Sequence, residues 1–176
     1  MATESSKKDR GEIQRVAVEL AAGGRSGGDL LRITVTGSSM RPTLRPGDVI
    51  LVRPGASPEI KPGALVTFLT DAGPVTHRVV GLTGSGLIAK GDNSRRFDAP
   101  ISPSRVIGRV VSSVRGGVER PFRTGARAVW TARLSYLEGR WAERFNPDRQ
   151  TSLYTKLVGL PFRILITIFT APRLSR

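Results

Sequence analysis

Apolar and polar residues alternate in short runs through the first two thirds of the chain. Alternation of this kind puts every second side chain on one face and predicts β-strands. Turn sequences rich in Gly, Pro and Asp separate the runs. Short strands at this spacing favour a small antiparallel barrel or a folded sheet. The predicted strands are Leu31–Val35, Val49–Val52, Leu65–Thr70, Val75–Leu82, Leu87–Lys90 and Arg105–Val114.

The last third of the chain changes to a helical period. Apolar residues recur there at spacings of three and four, which places them on one face of a helix, and arginines occupy much of the remaining surface. We therefore predict a basic amphipathic helix in this region. The apolar positions are Trp130, Leu134, Leu137, Trp141 and Phe145.

A second apolar segment, Leu153–Phe169, follows a break at Asn146-Pro147-Asp148. It is interrupted by Pro161 and carries two charges, so it is too short and too charged for the ~20 apolar residues of a membrane span. Its pattern suits a helix that lies in a membrane interface. The alternative is that both C-terminal helices pack on the β domain or on each other.

These patterns divide the chain into three parts. Residues 1–29 hold a short amphipathic helix and a flexible Gly/Ser-rich linker, without a secretory leader or a clear membrane anchor. Residues 30–118 hold the predicted strands, and residues 119–176 form the basic amphipathic extension. A chain of 176 residues fits one domain with such appendages.

Charge and composition limit which partners, metals and cofactors the chain is expected to bind. A net charge of +14 calls for anionic partners, either lipid headgroups or nucleic acid. Nucleic acid is disfavoured because the basic residues lie on amphipathic helices without a recognition motif. With no cysteine, one histidine and no acidic cluster, we predict neither a metal site nor a cofactor. We expect peripheral contact with an anionic membrane surface, on the cytoplasmic side.

The turn between the first two predicted strands carries candidate chemistry. Thr36–Asp48 reads T-G-S-S-M-R-P-T-L-R-P-G-D and presents Ser39 from a rigid turn. A serine hydroxyl becomes a nucleophile when a neighbouring base takes its proton, although Ser, Gly and Pro also cluster in ordinary turns. His77, the one histidine of the chain, is the candidate base, and a later polar loop holds two carboxylates, Asp92 and Asp98.

These blocks resemble those of the type I signal peptidases, membrane-associated serine endopeptidases in the clan that also holds the self-cleaving repressors. Ser39–Leu44 is similar to their nucleophile box. His77-Arg78-Val79 is similar to the base block of the histidine subtype, found in archaea and the endoplasmic reticulum. Lys90–Asn93 matches the acidic block, and Val106–Val111 matches the closing strand. The resemblance spans Leu30 to Ser113.

The resemblance implies a coiled antiparallel β fold and a role for each site residue. Ser39 would be the nucleophile and His77 the general base. Asp98, seven residues after Gly91, would hold the imidazole in one tautomer. Asp92 is the alternative for this third role, and otherwise would brace the loop.

The resemblance also bears on the oxyanion and on the substrate. These peptidases often carry a serine two residues before the nucleophile, where this chain has Gly37. We therefore expect the oxyanion to rest on backbone N–H groups around Ser39, with Ser38 and Met40 as supporting residues. The substrate pockets would accept small residues, with Met40 and Pro42 in the pocket wall.

The sequence thus predicts a serine endopeptidase similar to signal peptidase I, which cleaves a leader or precursor peptide after small residues through an acyl-enzyme. Two alternatives stay open. One is a catalytically weak or inactive module of the same fold that binds peptides or membrane surfaces. The other is a self-cleaving protein, for which Ala22-Gly23 is a candidate cleavage site.

Overall fold

The computed structural model of the chain describes residues 30–55, 60–122 and 124–145, together with residue 164. The predicted N-terminal helix and the segment 153–169 therefore lie outside the described residues, apart from residue 164. The elements, in chain order, are β1 (Leu31–Thr34), β2 (Val49–Pro54), β3 (Leu65–Thr70), β4 (Gly73–Thr83), β5 (Gly86–Lys90), a 3-10 helix (Pro103–Arg105), β6 (Val106–Arg115), β7 (Val118–Pro121) and α1 (Ala126–Phe145).

All strand pairs are antiparallel and form one sheet in the order β1-β2-β6-β3-β4-β5, with β7 added beside β6. The predicted mainly β class with a helical extension is confirmed, and the sheet stays open rather than closing into a barrel. Register shifts occur between Leu51 and Val52, between Thr67 and Phe68, and between Val79 and Gly81. Such bulges bend strands and increase their twist, so the sheet coils around its core.

Two apolar clusters fill the two sides of β3. Successive residues of a strand point to opposite faces, so Leu65 joins one cluster while Val66 and Phe68 join the other. The cluster around Leu65 lies beneath the turn that precedes β2. Its buried members are Met40, Leu44, Ile50, Val52, Leu65 and Val110.

Helix α1 lies against β4. It buries its small and polar residues, and leaves Trp130 and Leu137 exposed. Within the described residues, no helix combines the length and the apolar character that a bilayer crossing requires. The predicted boundary at residue 118 falls inside β7, which pairs with β6 and extends the sheet to Pro121.

Candidate active site

Three side chains predicted to act together form one hydrogen-bonded chain. Ser39 Oγ lies 2.9 Å from His77 Nε2, and His77 Nδ1 lies 2.7 Å from Asp98 Oδ2. His77 sits in the middle of β4, with its side chain 10% exposed, while that of Asp98 is 25% exposed. This is the order of nucleophile, base and orienting carboxylate that acyl transfer requires.

The turn that contains Ser39 is held by hydrogen bonds within its own backbone and by a hydrogen bond from the loop after β5. Arg41 N–H donates to Ser38 O, and Asn93 N–H donates to Ser39 O over 2.7 Å. The N–H groups of Ser39 and Met40 donate to no backbone carbonyl within the described residues. Two N–H donors beside a nucleophile are the parts of an oxyanion hole.

The residues predicted to support the oxyanion or line the substrate pocket differ in how far they are buried. The Ser38 side chain is exposed next to Ser39, and Pro42 is half-buried. The Met40 side chain is only 2% exposed and packs in the core with Leu44 and Leu65. Met40 therefore does not line an open pocket wall with its side chain, because the short turn directs that side chain inward beneath the sheet. A pocket role for Pro42 stays a prediction.

The structure separates the two candidate carboxylates. Asp92 is 2% exposed and binds Arg78 through two parallel hydrogen bonds, Nε to Oδ1 and Nη2 to Oδ2, each 2.8 Å long. Thr43 Oγ1 donates to the same carboxylate. Arg78 is the residue after His77 on β4, and Thr43 lies four residues after Ser39, so Asp92 connects the turn around Ser39 to β4. Asp98, not Asp92, reaches the histidine.

A second guanidinium–carboxylate pair holds the far end of the same turn. Arg115 donates from Nε to Asp48 Oδ1 at 2.7 Å and from Nη2 to Oδ2 at 2.6 Å, and Arg45 N–H also donates to Oδ2. The Arg115 guanidinium holds the pKa of the Asp48 carboxyl below its ordinary value, and the same hydrogen bonds raise the pKa of Arg115. Sequence reasoning missed Arg115, because nothing near it in the chain suggests a partner in the turn.

Gly91 is a further site residue that the sequence reasoning did not assign. A Cβ atom built on Gly91 would lie 2.8 Å from Ser39 O and 3.0 Å from His77 Nε2. Only glycine lets the loop backbone approach the reacting groups this closely. The sequence feature that could have identified Gly91 is its position in the Lys-Gly-Asp-Asn block, directly before Asp92.

The chain matches the family model described as Peptidase S24-like over residues 3–111, which is more than half of its length. The chain belongs to the Peptidase S24-like family. The match supports the predicted clan of signal peptidases and self-cleaving repressors, and a serine peptidase in general. No curated protein matches the chain.

The clan raises the question of a lysine base, which the self-cleaving repressors use. The described residues of this S24-like chain include two lysines. Lys61 is exposed in a turn, and Lys90 is 0% exposed, donating to Glu138 Oε2 at 2.8 Å and to Ser135 Oγ at 3.1 Å. Both partners of Lys90 belong to α1. The side chain that meets the Ser39 hydroxyl is His77.

Helix α1 lies beyond the S24-like match and still contacts both ends of the segment that runs from Lys90 to Asp98. Lys90 at the start of this segment is bound by Glu138. Phe97, just before Asp98, packs against Tyr136 in a tilted arrangement with ring centroids 5.5 Å apart, and a Cβ atom on Gly139 would collide with the Phe97 ring. The helix is therefore part of the frame that holds the triad.

Proposed function

We propose that the chain is a serine endopeptidase of the histidine signal-peptidase type that cleaves a leader or precursor peptide after small residues. The observation that carries the proposal is the continuous hydrogen-bonded arrangement of Ser39, His77 and Asp98. The resemblance of the sequence blocks supports the subtype. The preference for small residues rests on that resemblance alone.

The geometry supports a two-step reaction. His77 Nε2, 2.9 Å from Ser39 Oγ, accepts the hydroxyl proton as the oxygen attacks the scissile carbonyl carbon. The oxyanion then faces the N–H groups of Ser39 and Met40. His77 gives the proton to the leaving amine, which departs and leaves an ester on Ser39. Water, deprotonated by His77, hydrolyses this ester and restores the enzyme.

Asp98 acts on this reaction through the histidine. Its Oδ2 accepts a hydrogen bond from His77 Nδ1, which leaves Nε2 as the acceptor for the serine proton; this tautomer is assigned from the partners of the ring. The carboxylate also stabilises the imidazolium that forms in each step.

The test is cleavage of an Ala-x-Ala leader-peptide library, followed by intact mass, by the wild type, by Ser39→Ala and by Ser38→Ala. We expect products cut after a small residue with the wild type, none with Ser39→Ala, and slower but detectable cleavage with Ser38→Ala, whose hydroxyl would only support the oxyanion. Equal cleavage by the wild type and Ser39→Ala would refute the nucleophile. No cleavage by any of the three would instead favour the binding module of the same fold.

The two carboxylates give a matched pair of variants. Asp98→Asn should lower kcat by about 10⁴-fold because the histidine loses its orienting acceptor. Asp92→Asn should instead lower the free energy of unfolding, by about 3 kcal/mol, because it leaves the buried Arg78 without its carboxylate. If Asp92→Asn gave the catalytic defect with an intact fold, the assignment of the third residue would be reversed.

Self-cleavage is the second candidate, and the S24-like family match is the observation that favours it. The candidate site Ala22-Gly23 lies outside the described residues. Storage of the purified chain at high pH, followed by intact mass, tests it. Self-cleavage predicts a shortened wild type and an intact Ser39→Ala, whereas an unchanged wild-type mass after days excludes it under these conditions.

A further inference from the structure

Helix α1 packs on the sheet through its small and polar side chains. A surface helix usually turns such residues to water. Amphipathic helices bury their large apolar residues. Here Trp130 is 52% exposed, Leu137 is 54% exposed and Trp141 is 39% exposed. The buried residues of the helix are instead small or polar: Thr131, Ala132, Ser135, Glu138 and Gly139.

Arginines border the exposed apolar residues. The Arg133 guanidinium lies over the Trp130 ring, 5.5 Å from its centroid. Of the two acidic residues of the helix, Glu138 is buried against Lys90, and Glu143 lies two positions after Trp141, about 200° around the helix from it. The exposed arginines are Arg127, Arg133, Arg140 and Arg144.

We propose that this outer face of α1, formed by Trp130, Leu134, Leu137, Trp141 and the four arginines, binds an anionic lipid surface. A helix lying in a membrane interface places Leu and Trp side chains at the boundary of the acyl chains. Arginine side chains extend from there to the headgroups and are attracted to anionic lipid. The outer face of α1 has both parts, an apolar centre and a cationic border.

Charge favours an anionic lipid surface over the other partners that could cover the outer face of α1. A second copy of the chain, docked symmetrically, would bring arginines against arginines. Residues 146–176 contain five Arg or Lys and a single acidic residue, Asp148, so they do not complement the arginines either. Nucleic acid would pair with the arginines and leave Leu137 uncovered. An anionic lipid surface satisfies both the apolar and the cationic residues.

The two tryptophans of the chain, Trp130 and Trp141, both lie on the outer face of α1 and report on it directly. The experiment uses the full chain with Ser39→Ala, so that cleavage plays no part. Tryptophan emission and acrylamide quenching are measured with phosphatidylcholine vesicles and with vesicles that also contain phosphatidylglycerol. We expect a blue shift and protection from quenching with the anionic vesicles, both reduced by added salt.

Matched variants locate the binding on the outer face. Leu137→Glu should weaken binding to anionic vesicles by at least tenfold, because burial of a leucine is lost and a repelling charge is added. Arg140→Gln should weaken it about fivefold. Leu82→Glu is the control: Leu82 is 56% exposed on β4 and is not part of the outer face of α1, so binding should be unchanged.

Three results would overturn the proposal. The first is the absence of any shift with anionic vesicles, and the second is binding that Leu137→Glu leaves intact. The third is a wild type that sediments as a dimer without lipid while Leu137→Glu sediments as a monomer, which would assign the face to a second copy. Because the assay contains no substrate, its outcome is independent of whether the chain is a peptidase.

Discussion

Glu138→Gln tests whether α1 is held to the β-sheet by a buried charge. Lys90 is 0% exposed, and its ammonium is bound by Glu138 and Ser135. On the sheet, Lys90 lies directly opposite Arg78, whose own charge is balanced by Asp92. Removing the Glu138 charge leaves two buried cations on neighbouring strands, of which only Arg78 keeps its carboxylate.

The expected cost follows from that burial. Breaking a buried ion pair by removing one partner costs about 3–5 kcal/mol, because the other charge stays in the interior uncompensated. For a chain of this size this lowers Tm by roughly 10 °C. The double variant Lys90→Met with Glu138→Leu removes both charges at similar volume and should recover most of the loss. Glu143→Gln, an exposed acid on the same helix, should change stability by no more than ~0.5 kcal/mol.

The assay is urea unfolding followed by far-ultraviolet circular dichroism, with a thermal scan of each variant. The expected order of stability is wild type and Glu143→Gln highest, the double variant just below, and Glu138→Gln lowest. A Glu138→Gln protein that matches Glu143→Gln would show that the pair contributes nothing. A double variant as unstable as the single one would show that packing, not charge, holds the helix.

Three further changes have defined outcomes. Gly91→Ala should lower kcat about 100-fold with the dichroism spectrum unchanged, because the new methyl group displaces Ser39 and His77; full activity would disprove the close approach. Gly37→Ser should raise kcat roughly tenfold by adding an oxyanion donor, since a Cβ there meets no atom within 4 Å; a lower kcat would contradict it. Asp48→Asn should destabilise the protein at pH 7. Because folding lowers the pKa of Asp48, its contribution is complete above about pH 4 and fades as pH falls through the lowered value, so the two unfolding curves should converge in acid. A constant difference at all pH values would argue against this ion pair.

The strands and the grouping of Ser39, His77 and Asp98 could be predicted because their signals are local. Alternation identified β1 to β6, and the blocks around Ser39 and His77 are short enough to recognise. The strand β7 was missed because Val118–Pro121 has no apolar alternation and pairs with β6 through a turn at Gly116 and Gly117. Its extended conformation comes from backbone pairing with β6 and not from its own sequence pattern.

Other features depend on tertiary structure and leave little trace in the sequence. Asp92 and Asp98 occupy one polar loop, and the sheet brings one to Arg78 and the other to His77. The side of α1 that packs inward consists of small or polar residues, which hydrophobic periodicity does not detect. Its anchor, Lys90, looks like part of a catalytic block until its partner Glu138 is seen, 48 residues later.

The two arginine–carboxylate pairs around the nucleophile turn have a consequence for biosynthesis. Asp48 pairs with Arg115, which lies 67 residues further along the chain. Asp92, which pairs with Arg78, also accepts a hydrogen bond from Thr43, and Thr43 and Asp92 are 49 positions apart. Contacts between residues this distant in sequence form late, because the chain between them must first be ordered. A nascent chain still leaving the ribosome thus has its serine but not a shaped turn to present it. The turn around Ser39 would therefore take its final shape only after the strand that carries Arg115 has been synthesised and paired.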